Sequence, residues 1–336
     1  MTSCETEPDS SSWGDKNALT ISQYLDKNKH EYSKSYRLLV EGKLLTSLYA
    51  YNPYGDYYTL FLPTDEAIDR FLLKNPKYGN FEELLKDTSF IKRLTRYHTL
   101  NRRLRTNEFP DGGLVDRTLT GDRLVTSFFS IGDNQLIKIN NVAPIIKPNL
   151  EMTNGNIHVI SEVLQPVDIS GYDWLQQQKD YSIVAQAMKL SGIQKKLKWV
   201  KYTLFAEPDS IFHRYGINNV EELISRIGSP GVPLTTITNT FYQFAAYHIV
   251  NGDYYMNDFY WGSKKYLTLG GQQLTISVGQ DIRINPGIDT YGLTISESGD
   301  TTEINYIRPI SEGCNILTRT GPVHSISELM YYLPLP

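Results

Sequence analysis

Apolar positions in this chain follow a helical spacing early in each half and a strand spacing later. The stretches "YSKSYRLLVEGKLLTSL" (32–48) and "YSIVAQAMKLSGIQKKL" (181–197) are helix-like, and each is broken at a glycine. In "YTLFLPT" (58–64) a run of strand character ends at Pro63. "TDEAIDRFLL" (64–73) then predicts a helix, with Thr64 as its N-cap and acids in the first turn facing the positive end of the helix dipole. "DRLVTSFFSIGDNQLIKINN" (122–141) has the broken alternation of antiparallel strands, with "GDN" as a turn. In "GNIHVISEVL" (155–164) alternation puts Ile157 and Val159 on one face and His158 and Ile160 on the other. Gly155 permits a tight turn into that strand. "TLGGQQL" (268–274) predicts a hairpin; without a following Lys-Ser/Thr it is not a phosphate loop. Helices first and strands later within one unit is an α+β pattern.

The pattern is written twice. "YTLFLPTDEAI" (58–68) is echoed by "YTLFAEPDSIF" (202–212), and "GNIHVISEVL" (155–164) by "GPVHSISELM" (321–330). Tyr97-His98 returns as Tyr247-His248, and "INNVAPIIKPNLEMTNG" (139–155) parallels "INYIRPISEGCNILTRTG" (304–321). With the two helical stretches, these landmarks define a duplication of about 150 residues, the size of a domain and far longer than a solenoid repeat. Pro166 and Gly171 punctuate "QPVDISGYD" (165–173), where the boundary is placed. The expected organisation is a tether at 1–17, a first domain at 18–168 and a second, more divergent domain at 169–336.

These boxes resemble the fasciclin domain family. The first copy carries all three of its signatures: Thr59 to Ile68, Tyr97-His98, and Asn154 to Leu164. The second carries Tyr247-His248 and most of the closing box. It departs at "AEPDSIF" (206–212), where the family has Pro-Thr-Asp, and lacks the Asn before Gly321. It also has extra residues between the Tyr-His pair and the closing box. The resemblance covers roughly residues 18 to 333. It implies two wedges of twisted β-sheet flanked by helices, and adhesion or extracellular interaction; from the residues, no catalysis and no cofactor are expected. Under it, Thr59, Pro63, Asp65, Tyr97, His98, Gly155, His158, Tyr247, His248, Gly321 and His324 are structural positions.

Composition narrows the partners. A net charge of -4 over 336 residues gives no electrostatic reason to expect nucleic acid. No apolar run approaches the roughly 20 residues of a membrane helix. The two cysteines are Cys4 and Cys314. "MTSCETEPDSSSWG" (1–14) has no periodicity and reads as a tether. Its "TSC" looks like the junction of a bacterial lipoprotein, which makes Cys4 the expected lipid anchor; the other reading is a chance cysteine in a tail. No Asn-x-Ser/Thr sequon occurs, which argues against a eukaryotic secreted glycoprotein.

Chemistry-bearing residues are few. His98, His158, His248 and His324 have neither i, i+2 nor i, i+4 partners, nor a carboxylate cluster at ligand spacing, so structural histidines are expected rather than a metal site or general base. No Gly-x-Ser-x-Gly is present. Cys314 reads as a small buried side chain. "KRLTRYHTLNRRLR" (92–105) reads as a solvated helix face and loop. The 24 tyrosines include two aromatic clusters, "YAYNPYGDYY" (49–58) and "GDYYMNDFYWG" (252–262). The first runs straight into a core strand. The second lies where the chain departs most from the family, and loops are where binding residues gather. Tyr254, Tyr255, Asn257, Asp258, Phe259, Tyr260 and Trp261 are therefore the candidate ligand- or partner-binding residues. The expected function is a non-catalytic surface lipoprotein of the cell outer membrane. It would bind a polysaccharide or surface protein, as an accessory to an outer-membrane glycan-uptake transporter complex. The alternative is a structural subunit that scaffolds such a complex and binds no ligand.

Overall fold

The structure is a computed structural model that describes residues 19–50, 57–131, 134–197, 200–279, 282–286, 294–295, 301–302, 307–310 and 313–330. The fold is α+β. Contacts divide the chain into two compact units, one of residues 1–110 with 114–166, the other of 111–113 with 167–336.

In the first unit α1 (Ile21–Lys27) and α2 (Ser33–Glu41) precede strand β1 (Tyr58–Pro63). Helices α3 (Asp65–Lys74), α4 (Phe81–Lys86) and α5 (Thr88–Tyr97) follow. Strands β2 (Thr99–Leu100), β3 (Gly112–Arg117, with 114–117 in this unit), β4 (Arg123–Ile131), β5 (Asn134–Ile139), β6 (Ala143–Met152) and β7 (Gly155–Ile160) complete it. The sheet order is β2-β1-β7-β6-β5-β4-β3. Residues 132–133 of the "GDN" turn lie outside the described residues.

β1 and β7 run parallel at the centre, from Tyr58 opposite Gly155 to Pro63 opposite Ile160. Both are buried along their whole length, so the polar Thr59, Asn156 and His158 within them lie inside with the apolar residues. Leu60, Leu62, Ile157 and Val159 pack with Ile21, Leu25 and Leu39. Phe61 and Ile160 turn to the opposite face, with Leu114, Leu124 and Ile139. Gly155 lets the strands meet: a Cβ there would overlap the Tyr58 carbonyl oxygen. Thr64 caps α3, its hydroxyl accepting from the Ala67 amide at 3.1 Å.

The second unit repeats the plan with α6 (Gly171–Gln177), α7 (Ser182–Leu190), β8 (Tyr202–Ala206), α8 (Asp209–Arg214), α9 (Val220–Ile227) and α10 (Thr240–Tyr247). Then come β9 (Ile249–Asn251), β10 (Gly262–Leu267), β11 (Gln273–Val278), β12 (Ile282–Pro286), β13 (Thr294–Ile295), β14 (Thr301–Thr302) and β15 (Val323–Ser325). β15 lies parallel to β8 as β7 does to β1, with β9 antiparallel on the other side. β10, β11 and β12 form an antiparallel sheet. The "TLGGQQL" turn joins its first two strands, closed by the Thr268 amide donating to Gln272 O at 2.8 Å.

Two polar contacts are copied between the units. Asp65 accepts from the Ser33 and Lys34 amides at 3.1 and 2.9 Å, and Asp209 from those of Ser182 and Ile183 at 3.0 and 2.9 Å. The box aspartate thus opens its own helix and also holds the first turn of α2 or α7. Asn154 Oδ1 accepts from the Ile21 amide at 2.9 Å, and Thr320 Oγ1 accepts from the Gly171 amide at the same distance. Threonine therefore takes over one task of the asparagine that the second closing box lacks.

Candidate binding site

The box residues of each copy build one bracket around a short turn. Thr59 Oγ1 donates to Arg102 O at 2.6 Å and accepts from the Leu104 amide at 2.8 Å. His158 Nε2 donates to Leu104 O at 3.0 Å, while its Nδ1 accepts from the Asn149 amide at 3.1 Å. Asn149 Oδ1 accepts from the Thr106 amide at 2.9 Å, and Glu108 closes the 3-10 turn Thr106–Glu108 by accepting from Arg105 N at 2.7 Å.

The second copy repeats every bond. Thr203 Oγ1 donates to Gly252 O and accepts from the Tyr254 amide, both at 2.7 Å. His324 Nε2 donates to Tyr254 O at 2.9 Å and its Nδ1 accepts from the Asn315 amide at 3.1 Å. Asn315 Oδ1 accepts from the Met256 amide, and Asp258 from that of Tyr255, both at 2.8 Å. An amide facing Nδ1 requires that nitrogen to be the bare one, so both histidines are neutral with the proton on Nε2. Burial pushes His158 and His324 down to about 4.

The bracket sorts the seven candidate residues. Tyr255 and Phe259 are core side chains and cannot meet a ligand. Phe259 lies edge-on to Tyr266 at 5.4 Å, and its counterpart Phe109 is buried in the same way. Tyr254 is half-buried, edge-on to Tyr266 at 5.1 Å. Asp258 spends its carboxylate on the turn Met256–Asp258, in which Asn257 is half-buried. Tyr260 and Trp261 stand outside, 74% and 80% exposed. Between the paired landmarks Phe109/Phe259 and Gly112/Gly262, the first copy has Pro110 and Asp111 where the second has these two rings. Gly112 and Gly262 both have positive φ, 136° and 97°. The exposed Lys264 and Lys265 follow on β10. Period-two reasoning could not separate inward from outward rings, because the 3-10 turn and Gly262 both break the alternation.

The Tyr-His pairs differ between copies. Tyr97 and Tyr247 are buried. His98 Nδ1 donates to Leu94 O at 2.8 Å and its Nε2 accepts from the Leu164 amide at 3.0 Å; burial pushes it down to about 4. His248 Nδ1 meets Phe244 O at 2.7 Å, but its Nε2 meets the Glu207 carboxylate at 2.7 Å. The other Glu207 oxygen accepts from the Met330 amide at 2.8 Å. Glu207 stands where the first copy has Pro63, and Met330 where it has Leu164. Burial opposes charge on His248, but the Glu207 charge and hydrogen bond, with the Phe244 carbonyl, outweigh it and raise its pKa. The signal was present in "AEPDSIF", which reads as the loss of a motif and not as the gain of a carboxylate.

Cys4, and residues 51–56 of the first aromatic cluster, lie outside the described residues. Cys314 is half-buried, and burial pushes its thiol up to about 12, far from a reactive thiolate. In the basic run, Arg102 pairs with Asp116 and Arg105 with Glu151, while Arg96 and Arg103 donate to the carbonyls of Gly42 and Met152. Among the described residues, no His, Cys, Asp and Glu group could hold a metal ion, and no helix is long and apolar enough to cross a membrane.

The parallel strand pair and the box bracket occur in both units. The fasciclin domain model matches residues 30–166, which lie in the first half of the chain. The chain is similar to human periostin, with 28% identity over 229 residues, covering 66% of this chain and 23% of periostin. It is also similar to the pig transforming growth factor-beta-induced protein ig-h3, with 31% identity over 110 residues, 32% of this chain and 14% of that protein. The matched part thus spans less than a quarter of either relative. A solved structure described as a FAS1 domain pair from the insect cell adhesion molecule fasciclin I aligns over 89% of this chain and 96% of that one, with 15% identity and a TM-score of 0.37.

Proposed function

We propose that this chain is a non-catalytic surface-binding protein whose second unit engages a polysaccharide through Tyr260 and Trp261. One observation carries the reading. Two large rings stand exposed at a turn that the first copy makes with Pro110 and Asp111, so the fold does not require aromatics there. Flat exposed rings stack on sugar faces and serve equally as anchors for a partner protein. The fasciclin match supports the adhesion class. A lipid on Cys4, an outer-membrane location and service to a glycan-uptake complex rest on the "TSC" stretch and the tether-like residues after it.

The double substitution Tyr260→Ala, Trp261→Ala in the full chain tests the site. Thermal melting comes first and should change by less than about 0.5 kcal/mol, as for other surface changes. Binding of the wild-type chain on a panel of polysaccharides should then disappear in the variant. Unchanged binding by the variant would remove the site. Wild-type binding to a surface protein and to no glycan would overturn the polysaccharide and keep the rings.

A further inference from the structure

Glu207 and His248 form a site that the first copy does not have. Both side chains are fully buried, and their contact is 2.7 Å. Each nitrogen of His248 faces an acceptor: Phe244 O on Nδ1 and the Glu207 carboxylate on Nε2. A neutral imidazole has one N–H and can satisfy only one of them. With Glu207 ionised, a neutral ring would press a lone pair against an oxygen at hydrogen-bond distance in a site closed to water. His98 faces one acceptor and one donor, Leu94 O and the Leu164 amide, and needs no charge. Replacing Pro63 by Glu207 inserts a carboxylate between ring and amide, and Glu207 now receives the Met330 amide itself.

We infer that Glu207 and His248 hold one buried proton as a carboxylate–imidazolium pair, and that this proton fastens the end of the second unit's closing segment at Met330, making that unit loosen in base. Among the described residues, the neighbouring charged groups have partners of their own. Asp209, at the start of α8, is held by Ser182 and Ile183 of α7. Arg214 on α8 pairs with Glu328, two residues before Met330, at 3.0 Å, and Tyr215 also donates to Glu328. Among the described residues Glu207 is the charged group that acts on His248, and the raised affinity of that ring for its proton accords with the geometry. Loss of the proton leaves one acceptor opposite a lone pair, and the carboxylate that holds the Met330 amide becomes an unpaired buried charge.

Ring nitrogen NMR of the full-length wild-type protein tests this without any variant. At neutral pH, His248 should show both nitrogens protonated, whereas His98 should show a proton on Nδ1 alone. A singly protonated His248 ring overturns the proposal. In Glu207→Gln the amide group donates to Nε2 while its oxygen still accepts from Met330, recreating the neutral arrangement of the first copy. His248 should then lose its Nε2 proton. Amide exchange of residues 323–330, corrected for intrinsic rates, should no longer rise with alkaline pH as it does in the wild type. An alkaline loosening equal in variant and wild type also overturns the proposal. If the variant fails to fold, the wild-type ring spectrum still decides.

Discussion

Gly321 shows how much one position can require. Its φ of +130° is a conformation that side chains rarely adopt, and a Cβ there would overlap the Tyr202 carbonyl oxygen. Gly271, in the β10–β11 turn, has a φ of +82° but open space around it. Gly321→Ala should therefore cost more than about 2 kcal/mol, from strain and forced separation of β15 from β8, whereas Gly271→Ala should cost about 1 kcal/mol from the backbone alone. Denaturant midpoints of the two variants check the ranking; equal costs would mean that β15 yields. At this scale the sequence was legible wherever a residue type has one use. Thr64 before an acidic turn and the glycine of the closing box both announce their roles. Glu207 did not, because its meaning depends on a histidine 41 positions away and on the residue it replaces in the other copy.

At the scale of elements, the alternation in "GNIHVISEVL" correctly separated the faces of β7, because a straight strand keeps its period. What the alternation could not convey is the link between elements. Asp65 lies at the start of α3, yet its oxygens hold the first-turn amides of α2, and Asp209 does the same for α7. Each is a helix cap supplied from another helix. Asp65→Ala should thus cost about 1–2 kcal/mol, in the range of a lost N-cap. It should also speed amide exchange at Ser33 and Lys34 more than within α3. Faster exchange confined to α3 would show that the aspartate serves only its own helix. The aromatic segment was half legible for a related reason. Its composition marked it out, but the inward aim of Tyr255 and Phe259 is set by Thr203, His324 and Asn315, which come from distant boxes.

For the whole molecule, the buried histidines give the two units different responses to acid. Burial holds His98, His158 and His324 at about 4 in the folded chain, against about 6.5 when exposed. Between these values the unfolded chain binds protons that the folded chain refuses. Stability therefore falls as pH drops from about 6.5 towards 4, by about 1.4 kcal/mol per pH unit for each histidine. The first unit holds two of them and the second holds one. His248 has the opposite sign: its raised pKa adds stability below the unfolded value, and this is lost as pH rises through the folded value. Native-state hydrogen exchange from pH 6.5 to 5, corrected for intrinsic rates, should show the β1/β7 amides losing protection about twice as steeply as those of β8/β15. Equal slopes would count against the neutral histidines. The duplication itself was plain in the sequence, but this asymmetry lies in which partner each imidazole meets.

The turn before β10 is shaped by main-chain bonds, by Asp258 and by residues of distant boxes, and among the described residues no bond that shapes it comes from the side chains of Tyr260 or Trp261. Selection can therefore rewrite those two positions at almost no thermodynamic penalty, whereas Thr203, His324 and Asn315 are locked. A combinatorial library randomised at 260 and 261 should fold nearly throughout and differ only in what its members capture, so recognition in this architecture can drift faster than the scaffold that displays it.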